Sequence, residues 1–317
     1  MEVKEDKNFI YDRVRKINAL KKVNYFFHDI FYHIILNINY FFNKNKNNKI
    51  YNASICAIFK DEAVYLKEWL EFHLMIGIDH FYLYNNFSTD NYMEILKPYI
   101  EKNIVTLKEW PVKAGQLSAY DDCYNNYRNE SQWICFLDID EFICLYKEED
   151  IKIWLKKFIK YPSILIYWKM FGTSGKVERE KELVIEEFYI SWCKLVDIGK
   201  VFFNTNFKMK KHKIHLIDSE IKIFGFKTLI PSMNEYGKFI KDNFSRKGRL
   251  NTTIQINHYW SKTYNEYVKR KMLKGDVYFE KKERTFLEFY YHELKNISSD
   301  YKIFRFLIKL KERYYKL

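Results

Sequence analysis

Between residues 54 and 167 the chain alternates short apolar runs with segments whose apolar residues recur at every third or fourth position. Ser54-Ile55-Cys56-Ala57-Ile58-Phe59 is a run of buried-strand length, and Asp61-Glu62 after it are acids of the kind favoured at the positive end of a helix. Leu66, Trp69, Leu70, His73 and Leu74 then share one helical face, and Gly77 supplies a C-cap. Residues 80–84 predict a second strand, followed by a polar turn at 85–90 and a short helix. Residues 104–107 predict a third strand, 116–129 a helix, 133–137 a fourth strand and 163–167 a fifth. Strands alternating with helices at this pitch imply βαβ units and a mostly parallel sheet buried on both faces. The class expected is α/β, Rossmann-like, with helical extensions at both ends. The first extension covers 1–49, is aromatic-rich, and closes in the polar linker Asn43-Lys44-Asn45-Lys46-Asn47-Asn48-Lys49. The α/β domain spans 50–278. Basic amphipathic helices are expected near 261–275 and over 280–317, so 279–317 forms a C-terminal helical segment.

Composition narrows the picture a little. In 317 residues, 48% hydrophobic and 30% charged residues allow a sizeable core and exclude a disordered tail. The excess of 54 Lys and Arg over 41 Asp and Glu, a net charge of +13, favours phosphates or an anionic membrane surface. A Lys-, Asn-, Ile- and Tyr-rich coding bias explains the same charge, which therefore decides nothing alone. The five cysteines form no CxxC pair and no zinc-ligand spacing, and their apolar neighbours suit reduced, buried thiols in a cytosolic protein. No early apolar core followed by a small-residue cleavage site marks a signal peptide. The most membrane-like stretch, 23–42, carries Asn24, His28, Asp29, His33, Asn37 and Asn39, too many polar groups for a lone spanning helix.

In parallel α/β sheets ligands bind outside the carboxyl ends of the strands. Three polar sets stand there: Lys60-Asp61-Glu62 after the first strand, Asn85-Asn86 with Ser88-Thr89-Asp90 after the second, and Asp138-Ile139-Asp140-Glu141 after the fourth. If strand geometry continues through Asp138 and Asp140, alternate residues point the same way and the two carboxylates can share Mn2+ or Mg2+. Such an ion also takes phosphate oxygens and neutralises charge on a leaving group. A competing reading makes Asp138 and Asp140 a helix cap and a surface ion pair. It makes Ser88-Thr89-Asp90 ordinary turn chemistry and Asp61-Glu62 first-turn helix acids.

These residues resemble glycosyltransferase family 92 and related family 2-like enzymes. The resemblance begins with Cys56-Ala57-Ile58-Phe59-Lys60-Asp61-Glu62-Ala63 and Tyr65-Leu66-Lys67-Glu68-Trp69-Leu70-Glu71-Phe72-His73. It continues through 77–86 and Ser88-Thr89-Asp90, and resumes at Trp110-Pro111, Gln116, Ala119-Tyr120, Asp122-Cys123 and 133–142. Phe171-Gly172-Thr173-Ser174-Gly175 and Ile256-Asn257-His258-Tyr259, with Ser261-Lys262, Lys271 and Gly275, complete it over about 54–275. The resemblance implies a GT-A fold and metal-dependent transfer of a sugar from a nucleotide-sugar donor, a UDP-sugar with UDP-galactose first to consider. It implies that Asp138 and Asp140 bind metal and donor diphosphate, and that His258 completes the metal site. Glu62 and Asp90 then hold nucleobase and ribose, with Lys60 and Asn86 in the same two motifs, Gln116 near the donor and Lys200 on a phosphate. Where the family has K-N-E and D-N-x-S-T-D, this chain has Lys60-Asp61-Glu62 and Asn85-Asn86-Phe87-Ser88-Thr89-Asp90, exchanging a carboxylate and an amide.

Inversion requires a general base. The carboxylates considered are Glu141, Glu182, Glu186, Glu187 and Asp197. Val184-Ile185-Glu186-Glu187-Phe188 resembles a V-I-E-R-F stretch of the family and favours Glu186, which otherwise reads as a surface carboxylate on a strand. His212 and His215 read as solvated surface histidines on a basic strand, or as phosphate or metal contacts. The basic, aromatic termini fit an interfacial helix on anionic lipid, serving a lipid-linked acceptor, or a helix packed on the domain. The expected partners are therefore a nucleotide-sugar, a glycan or lipid-linked acceptor and an anionic membrane surface, in the cytoplasm or at the inner face of the cell membrane. A nucleotidyltransferase generally has a Gly-rich phosphate loop after its first strand, which Phe59-Lys60-Asp61-Glu62 lacks. A non-enzymatic basic binder leaves the acidic strand ends unexplained, and no nucleic-acid module is recognisable.

Overall fold

The computed structural model describes residues 9–10, 19–43, 49–223, 225–241, 246, 250–272 and 285–316. The chain opens with a two-residue strand, β1 (Phe9–Ile10), and a long helix, α1 (Ala19–Asn43). The α/β core then runs β2 (Tyr51–Phe59), α2 (Ala63–Met75), β3 (His80–Asn85), α3 (Tyr92–Glu101) and β4 (Val105–Glu109). It continues with α4 (Gln116–Tyr127), β5 (Ser131–Phe136) and β6 (Glu141–Leu145). After α5 (Ile151–Lys156) come β7 (Ser163–Phe171), the single turn α6 (Val184–Glu187), β8 (Ile190–Trp192) and β9 (Leu195–Asn204). A separate antiparallel sheet holds β10 (Lys208–Lys213), β11 (Leu216–Ile223) and β12 (Phe226–Ile230). β13 (Met233–Asn234) and β14 (Ile254–Tyr259) return to the main sheet. The chain closes with α7 (Tyr264–Glu266) and a π-helical turn (Tyr267–Met272), then α8 (Phe286–Glu293), β15 (Asn296–Ser299), a 3-10 turn (Lys302–Phe306) and α9 (Leu307–Lys316).

The main sheet has the order β15-β8-β7-β9-β5-β2-β3-β4. β5, β2, β3 and β4 are parallel, and β9 crosses antiparallel to both β5 and β7. The expected α/β class, with helices towards both ends, is the one found. β2 and β3 are apolar on both faces because both are covered: residues 53–59 and 80–85 are buried throughout. β14 lies between β6, antiparallel, and β7, parallel, and so brings the late part of the chain to the end of β5. Gly199 permits the close passage of β9 over β7, since a Cβ there would meet the Ile166 carbonyl oxygen at 1.8 Å.

The sequence pattern predicts one apolar face on α2, but Tyr65, Leu66, Trp69, Leu70 and Phe72 are all buried. The other side is covered by α9, through Leu310 and Tyr314, the Arg313–Glu71 ion pair at 3.0 Å, and Lys67 stacked 4.5 Å over the Tyr314 ring. Of the two roles weighed for the C-terminal basic helix, packing on the domain accounts for this side of it. Residues 296–299 depart from the expected helix, forming a strand on β8. On α1, Tyr25, Asp29, Tyr32 and Leu36 face the protein. Asp29 receives Arg246 at 2.8 Å and Lys238 at 3.4 Å, and His33 donates to the Gly237 carbonyl at 2.9 Å. The other side of α1 exposes Phe26, Phe27, Phe31, Ile34, Phe41 and Phe42. Among the described residues no helix is long and apolar enough to cross a membrane. Residues 44–48 of the expected linker, and 273–275 and 280–284 of the expected basic helices, lie outside the described residues.

Candidate active site

Strand β5 ends at Phe136, and the chain turns at Ile139 and Asp140 before β6 begins. The extended geometry assumed for Asp138 and Asp140 is therefore replaced by a tight turn, closed by Glu141 N–H on the Asp138 carbonyl (3.1 Å) and Asp138 N–H on Glu141 Oε2 (3.0 Å). The two aspartates have different partners. Asp138 Oδ1 accepts from Gln116 Nε2 at 2.9 Å and from the Tyr120 hydroxyl at 3.2 Å, both on α4. Asp138 Oδ2 accepts from Lys200 Nζ of β9 at 2.7 Å. Asp140 Oδ2 accepts from Lys271 Nζ of the π-helical turn at 2.8 Å, and its Oδ1 stands 3.5 Å from His258 Nε2 of β14. Gln116 and Lys200, expected at the donor, thus converge on Asp138, and His258 stands beside Asp140.

Burial and charge set the protonation states. Burial alone would raise the Asp140 carboxyl, but Lys271 and His258 hold it well below the usual range. Glu141 is fully buried and pushed well upward by burial and by its neighbours Asp138 and Asp140, against the pull of Lys200 at 3.7 Å. Lys200, though fully buried, is kept charged by Asp138 and Glu141. Burial lowers His258 despite Asp140, so its ring is poised neutral, with Trp168 packed 4.6 Å from it. Glu141 Oε1 and His258 Nδ1 are 4.0 Å apart, and neither has a hydrogen-bond partner among the described residues.

The other strand ends close the rim. Glu62 Oε1 pairs with Arg270 at 2.6 Å while its buried Oε2 has no partner among the described residues, and Arg270 also donates to the Asp61 carbonyl at 2.5 Å. Asp61 has φ of 53° and accepts the Thr89 N–H at 2.7 Å, which binds the first rim loop to the second. Asp90 Oδ2 caps α2 at Ala63 N–H (2.8 Å) and its Oδ1 has no partner among the described residues. Asn86 ties its loop to the Trp110 and Val112 carbonyls at 2.8 and 2.9 Å, which accounts for its amide structurally. Lys60 is half-buried at the end of β2 and makes no hydrogen bond or ion pair among the described residues.

A family model for glycosyltransferase family 92 matches residues 51–297. The chain belongs to glycosyltransferase family 92. A family 92 protein of Oryza sativa subsp. japonica is 27% identical over 145 residues, covering 44% of this chain and 25% of that protein. One of Ricinus communis is 30% identical over 105 residues, 33% of this chain and 18% of that protein. A galactan beta-1,4-galactosyltransferase of Arabidopsis thaliana is 25% identical over 142 residues, 39% of this chain and 27% of that protein. This family 92 chain therefore aligns with only about a quarter or less of the length of these relatives. Among solved structures, S. aureus TarS in complex with UDP-GlcNAc is 16% identical with a TM-score of 0.30, covering 41% of this chain and 37% of that one.

Several expected residues lie elsewhere in the family 92 fold. Glu186 is on the short helix α6, not on a strand, and its carboxylate is paired with Lys311 of α9 at 2.7 Å, so it is no part of the acidic turn. Glu182 accepts the Tyr314 and Tyr315 hydroxyls, and Glu187 the Lys181 N–H. His212 and His215 are not solvated: His212 packs on Tyr120 and Phe136, and His215 is wedged against Trp168 with Nδ1 bonded to the Gly199 carbonyl at 2.8 Å. Four cysteines are buried and free as expected, but Cys193 is exposed at the turn between β8 and β9. Tyr65 and Arg270 were not assigned from the sequence. The basic run Lys269-Arg270-Lys271 was the signal that could have found Arg270.

Proposed function

We propose that this chain transfers a sugar, with inversion, from a UDP-sugar to a glycan or lipid-linked acceptor, using Mn2+ or Mg2+. The observation that carries the reading is Asp140 beside His258 at 3.5 Å, directly beyond β5 in a family 92 chain. Among the described residues no group of three His, Cys, Asp or Glu forms a ready-made cage. A carboxylate with an imidazole nevertheless suits such an ion, which generally takes one or two protein carboxylates and leaves positions for substrate phosphates. The donor set is of the right chemistry: an ionised carboxylate and a neutral imidazole whose Nε2 faces it. Asp140 and His258 would hold the ion, with Asp138 alongside. When bound, the ion would neutralise charge on the departing nucleoside diphosphate.

The chain's own residues do the positioning. Lys200, Gln116 and Tyr120 fix Asp138 from three directions, and Lys271 supplies positive charge at Asp140. The relatives named galactan beta-1,4-galactosyltransferases make UDP-galactose the first donor to try. The same reading places the protein in the cytoplasm, peripheral at the inner face of the membrane. Free thiols support the first part, and the exposed apolar side of α1 supports the second. A screen of UDP-, GDP- and CMP-sugars with Mn2+ tests the reaction. Nucleoside diphosphate release from one donor, abolished by chelation and reduced at least about a hundredfold in Asp140→Asn, is the expected result. No release from any donor, together with no calorimetric binding of UDP in the presence of Mn2+, would overturn it.

A further inference from the structure

Four residues beyond His258, Lys262 has φ of 53°, a left-handed conformation that side chains larger than glycine adopt only at a cost. The turn that follows holds it there. Thr263 caps α7 by accepting from Glu266 N–H, and the Glu266 carboxylate is fixed by Thr263 N–H at 3.0 Å and by the Tyr65 hydroxyl at 2.6 Å. Lys262 is 4% exposed, with its ammonium 4.0 Å above the centre of the Tyr65 ring.

The neighbouring cations are matched by carboxylates: Lys200 by Asp138, Lys271 by Asp140 and Arg270 by Glu62. Lys262 has no such match among the described residues. Among the described residues no oxygen accepts a hydrogen bond from its ammonium and no carboxylate lies within ion-pair distance. Its position is nevertheless electrostatically between the two strand ends, since Glu62 and Asp140 are the acids that act on it most. Burial lowers its pKa to about 8, opposed by those two acids and assisted by Arg270 and Lys271. A buried ammonium with an aromatic face on one side and no directly paired carboxylate on the other is costly unless a ligand completes it.

We propose that Lys262 binds the terminal phosphate of the donor's nucleoside diphosphate, an inference that rests on the nucleotide-sugar reading above. Phosphate oxygens are the anions that a nucleotide held between Glu62 and Asp140 would bring to this amine, and a charge-assisted hydrogen bond replaces the missing partner. The backbone strain at Lys262 then serves to aim the side chain inward before the ligand arrives.

The test is calorimetric titration of the full chain in MnCl2 with UDP, GDP and CDP, each beside its monophosphate. If the wild type binds none of the three, the nucleotide-sugar reading itself falls, whatever Lys262 does. For the nucleotide that binds, Lys262→Met should weaken the diphosphate about tenfold or more and the monophosphate by less than about threefold, with Lys262→Arg retaining most of the affinity. Unchanged diphosphate binding, or an equal loss on monophosphate and diphosphate, overturns the assignment. Melting of the ligand-free protein gives a second reading. Removing a buried charge that lacks a paired carboxylate should leave Lys262→Met as stable as wild type or more so. A melting temperature lower by more than about 4 °C would instead make Lys262 a structural residue and overturn the proposal.

Discussion

With no exposed side-chain surface and two carboxylates within 3.7 Å, Lys200 is the fixed charge around which Asp138 and Glu141 are arranged. Lys200→Met would leave Asp138 beside Glu141 with no cation between them. Because the Asp138 side chain is about a third exposed, the loss belongs at the lower end for breaking a buried pair, about 3 kcal/mol by urea unfolding. Asp140 makes a prediction about pH. Its folded pKa lies well below the unfolded value near 3.9, so its stabilisation is fully present above about pH 4 and is lost as pH falls through the folded value. Asp140→Asn should therefore flatten the dependence of the urea midpoint on pH below about pH 4 and leave it unaltered between pH 5 and 7. An unchanged acid slope would show that Lys271 and His258 do not act on this carboxyl in solution.

At the scale of the elements, helix starts are supported by side chains from elsewhere in the chain. Glu68 of α2 accepts the N–H groups of Val184 and Ile185 at 2.7 and 3.0 Å, satisfying the opening turn of α6. Glu68→Ala leaves two buried donors without partners, and a loss of about 2–4 kcal/mol in urea unfolding is expected. A loss below about 0.5 kcal/mol would mean that α6 finds other acceptors. Such long-range caps mark where reading the sequence stops. β2, α2, β3, β4, α4 and β5 were legible because apolar runs and helical periods are local signals, and the acidic turn was legible because it closes such a run. The 296–299 strand and the single turn at Glu186 were not, since their conformations are set by pairing with β8 and by α9. His212 and His215 looked solvated because Lys210, Lys211 and Lys213 surround them in sequence, but the two rings pack on Tyr120, Phe136 and Trp168.

On the whole molecule, α1 presents an exposed row of large apolar side chains, Phe27, Phe31 and Ile34 among them, beside a chain of net charge +13. Bilayer binding through this side should appear as co-sedimentation with vesicles containing anionic lipid, weakened by salt. Phe27→Asp with Phe31→Asp should lower it about tenfold or more without altering the melting temperature. Equal binding of the double variant would remove α1 from the contact. The seating of β14 between β6 and β7 also has a consequence in time. Asp140 and its cation Lys271 are 131 positions apart in the chain, so at about 5–20 residues per second the ribosome adds Lys271 roughly 7–26 seconds after the aspartate. Throughout that interval the nascent polypeptide carries its acidic turn without Lys271, and until Ile254–Tyr259 has been made the edge of β6 that β14 will cover stays open to other strands. A message truncated before residue 254 would yield a chain with its parallel half-sheet made and that edge bare, a species for chaperones to hold or proteases to clear.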